Sequence, residues 1–227
     1  MTILANLDQE LLLALNSLSV RKAMYLWWGL GSNSLFRELA ILCPLVALWF
    51  ADDCKERRSR MLAGLLGVCL ATLLSVWSQF HLDIHTRPFL DAALPLRVVK
   101  PEWVNSWDRA NSFPSDTATM FLGLAMVIFL DNRWVGLFCL FWATAIIAIP
   151  RIAFGWHYPS DIVGSAVLGP GFVYLFERIS YLRIWIERAL NLLDKPMYLV
   201  NAMLFVFLAE AINLFAGVRS IATILVN

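Results

Sequence analysis

MLAGLLGVCLATLLSVWSQF, residues 61–80, carries no charged side chain along its length. A helix of about 20 mostly apolar residues crosses a bilayer, so this run predicts a membrane-spanning helix. Working outward, residues 134–150 form a second uncharged run. Residues 35–51, 115–130 and 161–176 are shorter or carry charge at one end, and 196–218 holds a single charge, Glu210. The runs add up to about six crossings of an all-α integral membrane protein. Composition agrees: 60% of residues are hydrophobic and 15% charged, with a mean hydropathy of +0.68. Soluble domains average about 45–50% and about 25%.

Leucines at helical spacing over residues 3–20, interleaved with Asn6, Asp8, Glu10 and Asn16, predict an amphipathic interfacial helix within an N-terminal region 1–34. Residues 181–194 have the same character. The whole chain, 1–227, reads as one membrane domain. The formal charge of +1 says nothing about nucleic acid, but no basic cluster is interleaved with aromatics, and no nucleic-acid partner is expected. Cys43, Cys69 and Cys139 lie in apolar runs and Cys54 in a charged loop, which is no disulfide framework. The first twenty residues lack the basic start and cleavage site of a signal peptide.

If 52–60 lies on one face, 131–133 and 177–195 share it. The basic residues divide evenly between the two faces, but those of 52–60 sit in a short loop, where the positive-inside rule weighs most. That face is read as cytoplasmic. The long loop 81–113 then faces outward, with Trp103 and Trp107 as interfacial anchors.

The same topology brings three polar segments to one outer level: HLDIHTRPF (81–89), SFPSDTA (112–118) and PRIAFGWHYPSD (150–161). Ionisable groups at membrane depth are costly and point to function. Arg87 and Arg151 present donor forks suited to phosphate oxygens. Ser115 opens a helix whose N-terminal N–H groups can hold an anion, although a plain helix cap explains a lone Pro-Ser-Asp equally well. His157 and Asp161 are four apart; on a helix beginning near His157 they share a face. Asp161 would then orient one ring nitrogen and leave the other free as a nucleophile. His81 and His85 have the same spacing, but no third ligand makes a metal site, and none is assigned. No cofactor is expected.

The spacing of Arg151, His157 and Asp161 resembles the third signature of the type 2 phosphatidic acid phosphatase superfamily. Arg87-Pro88 resembles the end of its first signature, and FPSD its second, in the form found in undecaprenyl diphosphate phosphatases. The resemblance covers residues 80–165. It implies a helical membrane fold without a metal, with Arg87, Ser115 and Arg151 binding phosphate, His157 as nucleophile and Asp161 as its orienting partner. It further implies a bacterial plasma-membrane protein with an outward site, acting on a lipid phosphate or diphosphate.

Three positions depart from the pattern. Phe80 stands where a lysine is expected, Thr117 where a proton-donating histidine is expected, and Pro150 where a serine is common. Asp116, Thr117, His81 and His85 are the candidates for the acid or an accessory role. A leaving phosphate, with a second pKa near ~6, needs little protonation, so the missing acid favours a lipid diphosphate over a phosphomonoester. Two alternatives stay open: a phosphotransferase that passes the phosphoryl group to another lipid, and a catalytically impaired lipid-binding scaffold. The sequence is silent on oligomeric state.

Overall fold

The structure is a computed structural model that describes residues 3–18, 26–27, 33–97, 111–192 and 197–212. Those residues form helices and no strands. The helices are α1 (Ile3–Leu18), α2 (Ser34–Phe50), α3 (Lys55–His81), α4 (Asp116–Asp131), α5 (Arg133–Ala153), α6 (Pro159–Arg178), α7 (Ser180–Leu192) and α8 (Met197–Ile212). Among them α3 and α5 are long and apolar enough to cross a membrane. Helices α6 and α7 meet that test only as a pair, bent by 71°.

Length and apolarity mark two candidate spans among the described residues, or three if the bent pair is one, against the six expected from the sequence, and helix α4 is not one of them. At about 1.5 Å per residue, its 16 residues reach only some 24 Å. It is buried on nearly every side, packed against α2, α3, α5 and α6. A helix enclosed by its neighbours meets little lipid and needs no full-length apolar surface.

Helices α3, α4 and α6 pack against one another as a central trio. Small residues allow the approach, as is usual between membrane helices. A Cβ on Gly169 of α6 would lie 2.2 Å from the Thr119 carbonyl oxygen of α4, and one on Gly67 of α3 would lie 2.8 Å from the Phe172 oxygen. Helix α5 contains a π-helical segment, Ala143–Ala148, in which the Ile149 N–H reaches back to Thr144 O. Pro150 follows directly. Proline crowds the carbonyl one turn earlier, and the wider turn accommodates it just before Arg151.

One end of the bundle carries loop 52–60. Arg57 Nε donates to Asp131 Oδ1 at 2.8 Å, and Lys55 Nζ to Asn191 Oδ1 at 3.0 Å. The segments expected to share a face therefore do so. The other end carries α1, residues 82–97 and 111–115, and the α5–α6 connection. Helix α1 is tied to the α5–α6 connection. Asn16 Nδ2 donates to Ala153 O at 2.8 Å, and Asp8 Oδ1 accepts from Ser160 N at 2.8 Å. His81 ends α3, so the long loop begins one residue later than expected. Trp103 and Trp107 lie outside the described residues.

The close helix contact is testable. Gly169→Ala drives a methyl into backbone that cannot yield, so a loss of about 1–3 kcal/mol is expected, read as a lower thermal midpoint in detergent. Gly171→Ala has nothing within 4 Å of the new Cβ and should leave the midpoint unchanged or higher. Equal midpoints for the two variants would contradict this packing.

Candidate active site

Backbone geometry at three helix ends builds the site. Ser115 caps α4, its Oγ accepting from Ala118 N at 3.4 Å. Tyr158 caps α6, with Pro159 in the first turn, and Asp161 Oδ2 accepts the Tyr158 N–H at 2.8 Å. Between α5 and α6 the chain turns at Gly155, whose φ of +69° favours glycine. The turn is tied to the first polar segment, since Phe89 N donates to Gly155 O at 3.0 Å.

His157 therefore sits in the connection ahead of α6, not on the helix with Asp161. Its side chain is 1% exposed. Nδ1–H donates to the Ser112 carbonyl at 2.9 Å, while Asp161 Oδ2 stands at 3.6 Å, beyond a good hydrogen bond. The ring is thus oriented first by a backbone oxygen and second by the carboxylate. This leaves the lone pair on Nε2, which receives Arg87 Nη1–H at 3.5 Å. Burial pushes the imidazole below its usual pKa, which favours the neutral form and keeps that lone pair available.

Arg87 does not snorkel outward. It is 7% exposed, donates to Trp156 O at 3.2 Å and reaches Gln79 Oε1 at 3.4 Å. Arg151, on the last turn of α5, lies over the Trp156 ring with its Cζ 5.6 Å from the centroid. The Nε of each arginine is buried without a hydrogen-bond partner. Asp116, at the start of α4, feels the charges of Arg151 and Arg87. A buried imidazole lone pair beside guanidinium donors is suited to attack on a phosphoryl group whose oxygens those donors hold.

Of the expected residues, Arg87, Arg151, Asp116, His157 and Asp161 converge, with Ser115 and Thr117 buried at the adjoining start of α4. Thr117 Oγ1 donates to Asp116 Oδ1 at 3.3 Å. His81 does not join them: its Nδ1–H donates to Trp77 O at 2.9 Å, and its ring stacks on Trp77. His85 turns the other way, its Nδ1 donating to Asp161 Oδ1 at 3.0 Å. The two histidines therefore do not converge as a pair of metal ligands. Phe80 is 63% exposed and points out of the bundle.

Gln79, one residue earlier, fills the inner place. It is 2% exposed, and its Nε2 donates to Pro114 O at 2.6 Å while its Oε1 faces Arg87. Its signal in the sequence was a lone amide at the end of an apolar run. Ser112 was also missed, because it acts through its carbonyl, which every residue has. Ser165 was missed as a small residue inside a helix; its Oγ contacts Ser115 O at 2.9 Å and Asp161 O at 2.8 Å.

Comparison with known proteins bears on this arrangement. The chain is 28% identical over 140 residues to "Undecaprenyl-diphosphatase BcrC" of Bacillus subtilis (strain 168), covering 60% of this chain and 65% of that one. It is 30% identical over 125 residues to "Bacitracin transport permease protein BcrC" of Bacillus licheniformis, covering 55% and 57%. It is 30% identical over 139 residues to "Putative undecaprenyl-diphosphatase YbjG" of Escherichia coli (strain K12), covering 59% and 64%. The matched stretches span less than two thirds of each relative's length. No solved structure matches. The PAP2 superfamily model matches residues 60–185, more than half of the chain and all of the segments that build the site. The chain belongs to the PAP2 superfamily.

Proposed function

We propose that the chain is a membrane lipid phosphatase that removes the terminal phosphate of an isoprenyl diphosphate through a phosphohistidine at His157. The observation that carries this reading is the state of His157. Its Nδ1–H is engaged by Ser112 O at 2.9 Å and its Nε2 faces Arg87 Nη1 at 3.5 Å. The names of two relatives, "Undecaprenyl-diphosphatase BcrC" and "Putative undecaprenyl-diphosphatase YbjG", support the lipid class.

In the proposed reaction Nε2 attacks the terminal phosphorus. The bond from phosphorus to the bridging oxygen breaks, and a lipid monophosphate leaves with the bond's electron pair. Arg87 and Arg151 hold the phosphoryl oxygens, with Ser115 beside them at the start of α4. Asp161 and Ser112 O stabilise the imidazolium character that develops on the ring. Water then attacks the phosphohistidine, and inorganic phosphate leaves as Nε2 regains its lone pair. A lipid monophosphate with a second pKa near ~6 is a competent leaving group unaided, which fits threonine at position 117. An alkoxide leaving from a phosphomonoester needs an acid worth about 10²–10⁴-fold.

We further read the chain as crossing the membrane about six times. Loop 52–60 would lie on the cytoplasmic side, and the site at the outer face of a bacterial plasma membrane. The contacts of Arg57 with Asp131 and of Lys55 with Asn191 support these segments sharing one side, and the positive-inside rule assigns that side.

Purified protein should release phosphate from undecaprenyl diphosphate faster than from undecaprenyl monophosphate or phosphatidic acid. His157→Ala should lower kcat at least about 10³-fold. Faster turnover of the monoester would overturn the substrate assignment, and an active His157→Ala would overturn the mechanism. Gln79→Leu removes one buried partner of Arg87 and one of the two side-chain donors to Pro114 O. One such lost bond costs about 1–3 kcal/mol, so KM should rise about tenfold or more. An unchanged KM would remove Gln79 from the site.

A further inference from the structure

His85 holds both groups that face the back of His157. Its Nδ1–H donates to Asp161 Oδ1 at 3.0 Å, leaving Oδ2 toward His157. Its backbone oxygen accepts from Ser112 N at 2.8 Å and from Ser112 Oγ at 3.2 Å. Ser112 in turn offers its carbonyl to His157 Nδ1. One residue therefore anchors the carboxylate through its side chain and the carbonyl through its backbone.

We propose that His85 is a positioning residue: by fixing Asp161 and Ser112 it holds His157 in the Nδ1–H tautomer, with the Nε2 lone pair aimed at the phosphoryl group. The proposal rests on His157 being the nucleophile.

Position separates this role from protonation of the leaving group. The Asp161 carboxylate stands between the two imidazoles. His85 packs edge-on against Tyr158, with ring centroids 5.3 Å apart, and against Phe113 at 6.2 Å. It lines an open cleft of about 450 Å³ with Asp8, Gln9, Asp91 and Tyr158. Among the described residues that cleft is not lined by His157, Arg87 or Arg151. His85 thus supports the site from behind.

The charged and titratable groups that face it are Asp161 of α6, Asp8 of α1, Asp91 of the connecting segment and Tyr158. The hydrogen bond to Asp161 raises its pKa above the usual 6.5, with Asp8 adding to the effect. Below that pKa His85 is a cation paired with Asp161. As pH rises through it the charge is lost, while a neutral Nδ1–H still donates. The charge on Asp161 felt by His157 therefore changes with pH and the geometry does not.

The test uses the full chain in lipid nanodiscs with undecaprenyl diphosphate. His85→Ala should lower kcat about 10–100-fold, the cost of leaving a buried charged acceptor without its donor, with KM within about threefold. His85→Asn places an amide N–H where Nδ1–H was. It should recover most of kcat and remove one ionisation from the pH profile. A second readout needs no turnover. The chain has three histidines, so ¹⁵N-histidine NMR can follow each ring. His157 should be a single Nδ1–H tautomer in the wild type and in His85→Asn, and a mixture in His85→Ala.

A kcat for His85→Ala within twofold of wild type, or an unchanged His157 spectrum, would overturn the proposal. If His85→Ala does not fold, His85→Asn decides alone. A retained ionisation overturns the proposal, and its loss with the tautomer kept supports it. A wild type that releases no phosphate would sink the phosphatase reading, and the tautomer comparison would still decide the role of His85.

Discussion

The hydroxyl of Ser165 joins the starts of two helices. It contacts Ser115 O, at the cap of α4, and Asp161 O, in the first turn of its own helix α6. About one turn further on, Gly169 brings the backbones of the same helices together at Thr119. The two Pro-Ser-Asp segments thus meet although they are distant in sequence. Everything else in the site is referred to that junction. Asp161 sets His85 and the Tyr158 cap, and Pro114 accepts from Ser75 and Gln79 of α3. The Ser112 carbonyl arrives beside His157 because its segment is sewn to α3 by Asn111 and to His85 by backbone bonds.

Charge is the second constraint. Arg87 and Arg151 are placed close enough to repel one another, with Arg37 adding to the repulsion on Arg151 and Asp116 offsetting it. Collecting guanidinium groups where water is scarce is expensive. An arrangement with buried, unpartnered Nε–H groups is relieved by an anion with several oxygens. The proposed substrate supplies one in each half of its diphosphate. Burial first, and the guanidinium charges after it, lower the basicity of His157, so in the proposed reaction one arrangement would serve both binding and attack.

Much of this was legible in the sequence because it is written in side-chain types. The uncharged run 61–80 points to a membrane helix bundle, and the arginine forks and the His157–Asp161 spacing are the basis of the phosphate site that is proposed. What was hidden is of two kinds. Backbone groups carry no letter, so the Ser112 carbonyl could not be seen, and Asp161 was given the role that the carbonyl takes first. Facing is also hidden where a helix is buried all round. Nothing in the local pattern says that Gln79 turns inward and Phe80 outward, so the departure at position 80 looked like a missing cation at the site itself. Helix α4 poses the matching problem for span counting: its 16 residues fall short of the length test although most of them are buried in the bundle.

Trapping the covalent intermediate tests the central claim most directly. Rapid quench of the protein with undecaprenyl diphosphate labelled in its terminal phosphate should place the label on the chain as an acid-labile adduct. Digestion should locate it on Nε2 of His157, with none on the His157→Ala variant. Steady release of labelled phosphate with no label on His157 at any time, or a label that persists in His157→Ala, would contradict the account.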